Sequence, residues 1–434
     1  MKRADQAEIV RAPGFAYRRQ ARGARPPELF CESVPLGRLA ERYGTPLYVY
    51  SSEMMRARMK AFARAFRPDP HTICYSVKAN STLAILRLVE REGAGFDVVS
   101  GGELERVLRV KRAARNVVFS GVGKTVPEME IALKSGILLF NVESASELRV
   151  LAATAARLKK RAAVAMRVNP DVSAETHPYI STGLHEHKFG VPITEARQLY
   201  AEAAGLPYLK VAGVSVHIGS QIMDLSSFAA ALERVADLVR ELRGRGHDIR
   251  YVDAGGGLGI SYEGTQQDFS EQIAAYADAV LQTLRGLDVH LLLEPGRSVV
   301  GAAGVLLTRV IYRKTNNSKR FLIVDAGMND LLRPALYGAY HEIVPVVRSS
   351  DQRETTDVVG PVCETGDFFA RDRELPVGAE GDVLAILDAG AYGAVLGSTY
   401  NTRGRPAEVL VDGARARVIR RRESMPDQWR LESL

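Results

Sequence analysis

The sequence predicts a parallel (β/α)8 barrel joined to a C-terminal, mostly antiparallel β domain, and three observations carry the prediction. Between about residues 72 and 297, eight apolar runs recur, each ending in polar or glycine-rich residues. Helical patterns lie between most of them. After about residue 301 the chain changes to short alternating strands with tight turns. Near-continuous apolar strands that alternate with helices are buried on both faces, which is the pattern of a parallel sheet closed into a barrel.

The runs are, in order, "TICYSVKAN", "GFDVVSGGE", "NVVFSG", "LLFNVES", "AAVAMRVNP", "VAGVSVHIGS", "IRYVDAGGG" and "VHLLLEPGR". Two intervening helices open on capping boxes, Thr125 with Glu128 in "TVPE" and Ser144 with Glu147 in "SASE". There a hydroxyl and a carboxylate satisfy the first N–H groups of the helix. "FAAALERVADLVRELRGRG", from Phe228, has apolar residues at helical spacing and ends in glycine. The connection between the fifth and sixth runs, residues 171–191, is longer and rich in turn formers, and reads either as a lid or as a surface insertion. Beyond the barrel, "GVLLTRVIY", "KRFLIVDAG", "TTDVVGPVC", "GDVLAILDAG", "AEVLVDG" and "ARVIRRRE" read as strands. The expected division is residues 1–45 as an N-terminal segment joining the β domain, 46–300 as the barrel and 301–434 as the β domain.

Composition narrows the class. A chain of 434 residues exceeds one ordinary core, so more than one domain is expected. Hydrophobic content of 46% with 25% charged residues is that of a folded globular protein. "MKRADQAEIVRAPGF" lacks an apolar signal core and no stretch approaches the length of a membrane span, so a cytoplasmic protein is expected. Cys31, Cys74 and Cys363 show no CxxC spacing, which argues against a disulfide framework and a zinc ribbon. Cys74, inside an apolar run, reads as packing. A net charge of +7 and the basic run "RVIRRRES" raise nucleic acid as a partner, but no aromatic interleaving or known module accompanies them. Attraction for small anions is the better reading. His177, His185 and His187 lack the spaced carboxylates of a metal site, and no metal is expected.

In such barrels the residues leaving the C-terminal strand ends build the active site. Lys78 leaves the first run in "YSVKAN". A lysine there is either a snorkelling surface charge or an amine that bonds to a carbonyl carbon as a Schiff base, and position alone does not decide. His217, the glycines at 255–257 and "EPGR" at 294–297 leave other strands on the same face, which favours the amine. "DAGGGLGI" and "EPGR" fall in the loops after strands seven and eight, where barrels often hold phosphate. A reactive lysine beside a phosphate site points to pyridoxal phosphate.

Seven motifs in order, "YSVKAN", "HIGSQI", "DAGGGLGI", "EPGR", "RPALYGAYHEI", "GPVCETGDFF" and "DAGAYG", resemble the diaminopimelate decarboxylase family of alanine racemase-like, fold type III pyridoxal phosphate enzymes. The resemblance runs from about residue 29 to about 420; the first 25 or so residues lie outside it and receive no role. It implies a carboxy-lyase that converts meso-diaminopimelate to L-lysine, the last step of lysine biosynthesis. By the same match, Lys78 carries pyridoxal 5'-phosphate, His217 stacks on its ring, and Glu294 faces its nitrogen. Gly256, Gly257 and Gly259 with the backbone around Gly296 hold the phosphate, and Tyr392 touches phosphate and substrate. Arg297, which also lies at the cofactor, is matched with Arg333 and Tyr337 to the distal carboxylate of the substrate, and Glu364 to its distal ammonium. Cys363 is matched to the proton donor, and with Glu364 it serves a partner subunit in a homodimer. Alternatives are another basic amino-acid decarboxylase, which has no distal carboxylate to bind, a racemase, expected to carry arginine where Glu294 stands, and a non-catalytic pyridoxal phosphate-binding protein.

Overall fold

Val, Ile, Leu and Phe crowd the segments that become strands, and nearly every one of these side chains is removed from solvent. The computed structural model describes residues 8–19, 26–110, 114–172, 188–263 and 268–433. His177, His185 and His187, and the 173–187 portion of the long connection read as a lid or insertion, lie outside the described residues. The chain forms two compact units, one of Arg58–Ile260 with Gln267–Ser298, the other of Met1–Ala57, Ser261–Gln266 and Val299–Leu434.

In the first unit the described strands are β1 (His71–Ser76), β2 (Gly95–Val98), β3 (Val117–Phe119), β4 (Leu139–Val142), β5 (Ala162–Asn169), β6 (Leu209–Val216), β7 (Tyr251–Asp253) and β8 (His290–Leu293). Each pairs in parallel with the next. The barrel closes where Leu291, Leu292 and Leu293 of β8 register with His71, Thr72 and Ile73 of β1. All eight coincide with the expected apolar runs. Cys74, Val118, Leu139, Ala165, Ala212 and Leu292 fill the interior, large beside small, as a packed barrel requires. Cys74 is thus a packing residue, as expected.

Of the two expected capping boxes, that of Thr125 with Glu128 forms in full and that of Ser144 with Glu147 only in its Ser144 half. Before the helix Val126–Ser135, the Thr125 N–H donates to Glu128 at 2.8 Å. Before Ala145–Leu158, the Glu147 N–H donates to Ser144 Oγ at 3.1 Å, while the Glu147 carboxylate accepts from the Glu143 N–H at 2.9 Å. Ser144 thus takes an N–H that the first helical turn leaves without a carbonyl, while the Thr125 and Glu143 N–H groups lie ahead of their helices and are taken by the Glu128 and Glu147 carboxylates.

The second unit is built on a mixed sheet in the order Phe368–Pro376, Arg353–Val359, Lys319–Val324, Gly304–Asn316, Leu47–Ser51, Ala407–Asp412, Arg415–Arg420. Most pairings are antiparallel; Leu47–Ser51 with Ala407–Asp412 and Lys319–Val324 with Arg353–Val359 are parallel. The barrel does not begin at residue 46 as expected. Leu47–Ser51 is central in this sheet and buried at every position, so its apolar run belongs to the β unit, and the barrel unit begins at Arg58. The N-terminal stretch also has work to do. Glu8–Arg11 and Phe15–Arg18 form a hairpin in a small four-stranded sheet, and buried Arg11 pairs with Asp388 at 2.8 Å and Glu342 at 3.0 Å.

Candidate active site

Every barrel strand puts side chains alternately inward and outward, so the last inward residues form a ring at the C-terminal end. Here that ring is polar. Lys78 Nζ lies 2.9 Å from Asp97 Oδ2 at the end of β2. The Ser76 hydroxyl, 3.1 Å from the same oxygen, is also 2.9 Å from the Glu294 carbonyl. Ser120 Oγ, just past β3, donates to Glu294 Oε1 at 3.3 Å. Asn141 of β4 sends its Nδ2 to Ser120 at 3.0 Å and to Asp253 Oδ2, at the end of β7, at 2.6 Å. Asp253 Oδ1 accepts the Gly255 N–H at 3.0 Å. The result is one hydrogen-bonded chain of buried groups with a lysine amine at its exposed end, the Lys78 side chain being 34% accessible.

Electrostatics follow from this crowding. Burial, together with the charges of Asp253 and Asp97, pushes the Glu294 carboxyl well above the usual range against the pull of Lys78. Burial likewise raises Asp253, which hydrogen-bonds to Glu294. Two carboxyls in such contact hold one proton between them rather than two charges. His217 follows β6; burial and the cations Arg167 and Lys78 hold its imidazole well below the usual range, so the ring is neutral. Its Nδ1 accepts the Gly256 N–H at 3.2 Å, which leaves the proton on Nε2.

The glycines are needed for close approach. A Cβ on Gly256 would sit 2.2 Å from the Glu294 carbonyl oxygen, and Gly257, at φ 109°, would place one 2.6 Å from the Gly219 oxygen. The loop's own hydrogen bonds engage the Gly256 amide, with His217, and the Gly259 amide, with the Ile222 carbonyl at 3.0 Å. Among the described contacts none engages the Gly257 amide, so of the three it is the one placed to meet an anion. Gly296 packs against Ser76 and Ala79, and Arg297 reaches Ser220 Oγ at 3.3 Å.

The remaining expected site residues lie in the second unit. Arg333 opens the helix Arg333–Tyr337 and is buried. Tyr392 takes a left-handed φ of 55°, which costs a non-glycine residue roughly 1–2 kcal/mol and marks a constrained turn. Cys363 and Glu364 are exposed on a turn that Asp367 fixes, its carboxylate accepting the Val362 and Met328 N–H groups at 2.6 Å each.

Asp97, Ser120, Asn141, Asp253 and Ser220 were not among the expected site residues. Asp97, Asn141 and Asp253 end or interrupt apolar strands, the same signal that exposed Lys78. A pyridine aldehyde with a phosphate fits this end of the barrel: an amine for the carbonyl, a buried acid able to hold a ring proton, and a glycine loop with an available amide. Asp97 Oδ1 and Asn141 Oδ1 are buried without a hydrogen-bond partner, so the ring retains unsatisfied acceptors.

Fold and site together define a pyridoxal-type barrel enzyme. Residues 52–301 match the family model described as pyridoxal-dependent decarboxylase, pyridoxal binding domain. The chain belongs to the diaminopimelate decarboxylase family. It is 53% identical to the diaminopimelate decarboxylase of Pseudomonas aeruginosa, over 94% of this chain and 97% of that one. It is similar to the structure of the Helicobacter pylori enzyme complexed with L-lysine, at a TM-score of 0.88 and 43% identity, covering 92% of this chain and 99% of that one. It is also similar to the structure of the diaminopimelate decarboxylase of M. jannaschii in co-complex with L-lysine, at a TM-score of 0.89 and 40% identity, covering 94% of this chain and 96% of that one.

The Glu294 carboxyl makes a prediction about stability. Its folded-state pKa is raised, so from the ordinary carboxylate range upward the folded chain binds more protons than the unfolded one, and stability falls as pH rises through that window. Glu294→Gln removes this penalty. In cofactor-free protein the melting temperature of the variant should exceed that of the wild type by a margin that grows as pH rises above the ordinary carboxylate range. Melting curves across that range check it; a margin independent of pH contradicts the shared proton.

Proposed function

We propose that the protein removes one carboxylate of meso-2,6-diaminopimelate as CO2 and leaves L-lysine, with pyridoxal 5'-phosphate as cofactor in a cytoplasmic setting. The observation that supports this most is the Lys78 amine, 2.9 Å from Asp97, on the same buried polar ring as Glu294. When bound, pyridoxal phosphate supplies an electron sink for the pair left on the α-carbon as CO2 departs. The protein supplies the rest. Lys78 Nζ anchors the carbonyl carbon, and Asp97 orients the amine and stabilises its charged form. Glu294, whose carboxyl readily keeps a proton, holds that proton at the ring nitrogen. Neutral His217 packs on the ring face without adding charge. The Gly257 amide, the backbone around Gly296 and the Tyr392 hydroxyl take the phosphate.

For the substrate, Arg297, Arg333 and Tyr337 bind the distal carboxylate and Glu364 the distal ammonium, roles that rest on the motif match. The Cys363 thiol gives its proton to the α-carbon, replacing the bond lost with CO2. Exposure of Cys363 and Glu364 on one turn suits residues that serve a partner subunit's site in a homodimer. Incubating the full chain with pyridoxal phosphate and meso-diaminopimelate should yield one CO2 for each L-lysine. Interconversion of diaminopimelate stereoisomers without CO2 would make it a racemase instead, and absence of any reaction would leave a binding protein.

A further inference from the structure

Arg333 is gripped by two residues to which neither the motif match nor the proposed reaction gives a part. Its Nη1 lies 2.8 Å from His341 Nε2, and His341 Nδ1 lies 2.7 Å from the Leu387 carbonyl oxygen, with His341 wholly buried. These partners determine the imidazole's state. A carbonyl oxygen can only accept, so Nδ1 carries the hydrogen; a guanidinium can only donate, so Nε2 presents its lone pair. His341 is therefore neutral and held in one tautomer. Tyr262 completes the grip. Its ring meets His341 edge-on at 5.2 Å and 75°, and the Arg333 guanidinium carbon lies 4.6 Å over the centre of the same ring.

A carboxylate in the place of His341 would fix the guanidinium equally well but would neutralise its charge. A neutral imidazole and an aromatic face orient the group without neutralising its charge. We propose that His341 and Tyr262 are positioning residues that set the Arg333 guanidinium and thereby the preference for a substrate bearing a carboxylate at its far end. The inference rests on the reading of Arg333 as the distal-carboxylate site.

The test uses the pyridoxal phosphate-loaded full chain and two ligands, followed by the cofactor's absorbance. L-lysine keeps a carboxylate and an ammonium on one carbon; 1,5-diaminopentane keeps both amines and lacks the carboxylate. Wild type should bind lysine more tightly, and Arg333→Leu should reduce the difference, leaving only what Arg297 and Tyr337 supply; an undiminished difference in Arg333→Leu also refutes the reading of Arg333. If wild type shows no preference, the reading of Arg333 fails and the inference falls with it. Given that preference, His341→Phe should weaken lysine about tenfold or more and leave diaminopentane within about twofold, a loss on the scale of one charge-assisted contact. His341→Gln, whose amide oxygen can accept from Arg333, should recover most of it. KM for meso-diaminopimelate should rise in His341→Phe with kcat little changed. Should His341→Phe fail to fold, Tyr262→Leu carries the same expectation for the two ligands. Equal weakening of both ligands, or of neither, overturns the proposal while leaving the role of Arg333 intact.

Discussion

Lys78→Ala should lose at least about 10³-fold in kcat, because one side chain is asked both to anchor the carbonyl carbon and to carry a proton beside Asp97. A positioned acid–base group alone is worth about 10²–10⁴-fold. The fold should survive: the Lys78 side chain is 34% accessible and its loss opens no sealed cavity, although buried Asp97 then loses its cation. Added methylamine should recover part of the rate, since a free amine can replace the proton carrier but not the tether. Steady-state kinetics with and without the amine check this. A loss below tenfold would remove Lys78 from the chemistry.

Glu364→Gln should reduce kcat/KM for meso-diaminopimelate by about 2–5 kcal/mol, roughly 30-fold to several thousandfold, the cost of truncating one partner of a desolvated charge pair. Glutamine keeps the size and loses the charge that the distal ammonium requires. The cofactor's absorbance should be unchanged. If Glu364 serves the partner's site, refolding Lys78→Ala and Glu364→Gln chains together in equal amounts should give about half mixed dimers, each with one intact site. Activity should then return to roughly a quarter of wild type. An unaltered kcat/KM in Glu364→Gln, or no recovery in dimers shown to be mixed, contradicts the assignment.

Much of this was legible from one regularity, an apolar run that ends in a polar residue. It located the eight strands and put Lys78, His217 and Glu294 at their C-terminal ends. Asp97, Asn141 and Asp253 are polar residues within or at the end of the apolar stretches "GFDVV", "LLFN" and "IRYVD", and nothing local marks them out as site residues. Only the closed barrel shows that they meet. The unit boundary was hidden for a related reason: "LYVYS" is as apolar as a barrel strand, and what assigns it to the β unit is pairing with Gly304–Asn316 and Ala407–Asp412, far away in sequence. Arg11 and Asp388 are 377 residues apart, so no local pattern could announce their ion pair. The neutral state of His341 depends on Leu387 and Arg333 jointly, which a motif containing "AYHEI" does not encode.

The account centres on Lys78 as the amine that holds the cofactor. Loading the full chain with pyridoxal phosphate, reducing with borohydride and mapping the peptides tests this most directly. The pyridoxyl group should be found on Lys78, in the peptide containing "YSVKAN". Lys124 is already enclosed by the Gly121 and Asn141 carbonyls and Glu147, at 2.6–2.7 Å, and should remain unlabelled. Label on Lys124 or Lys188, with Lys78 unmodified, would contradict the site.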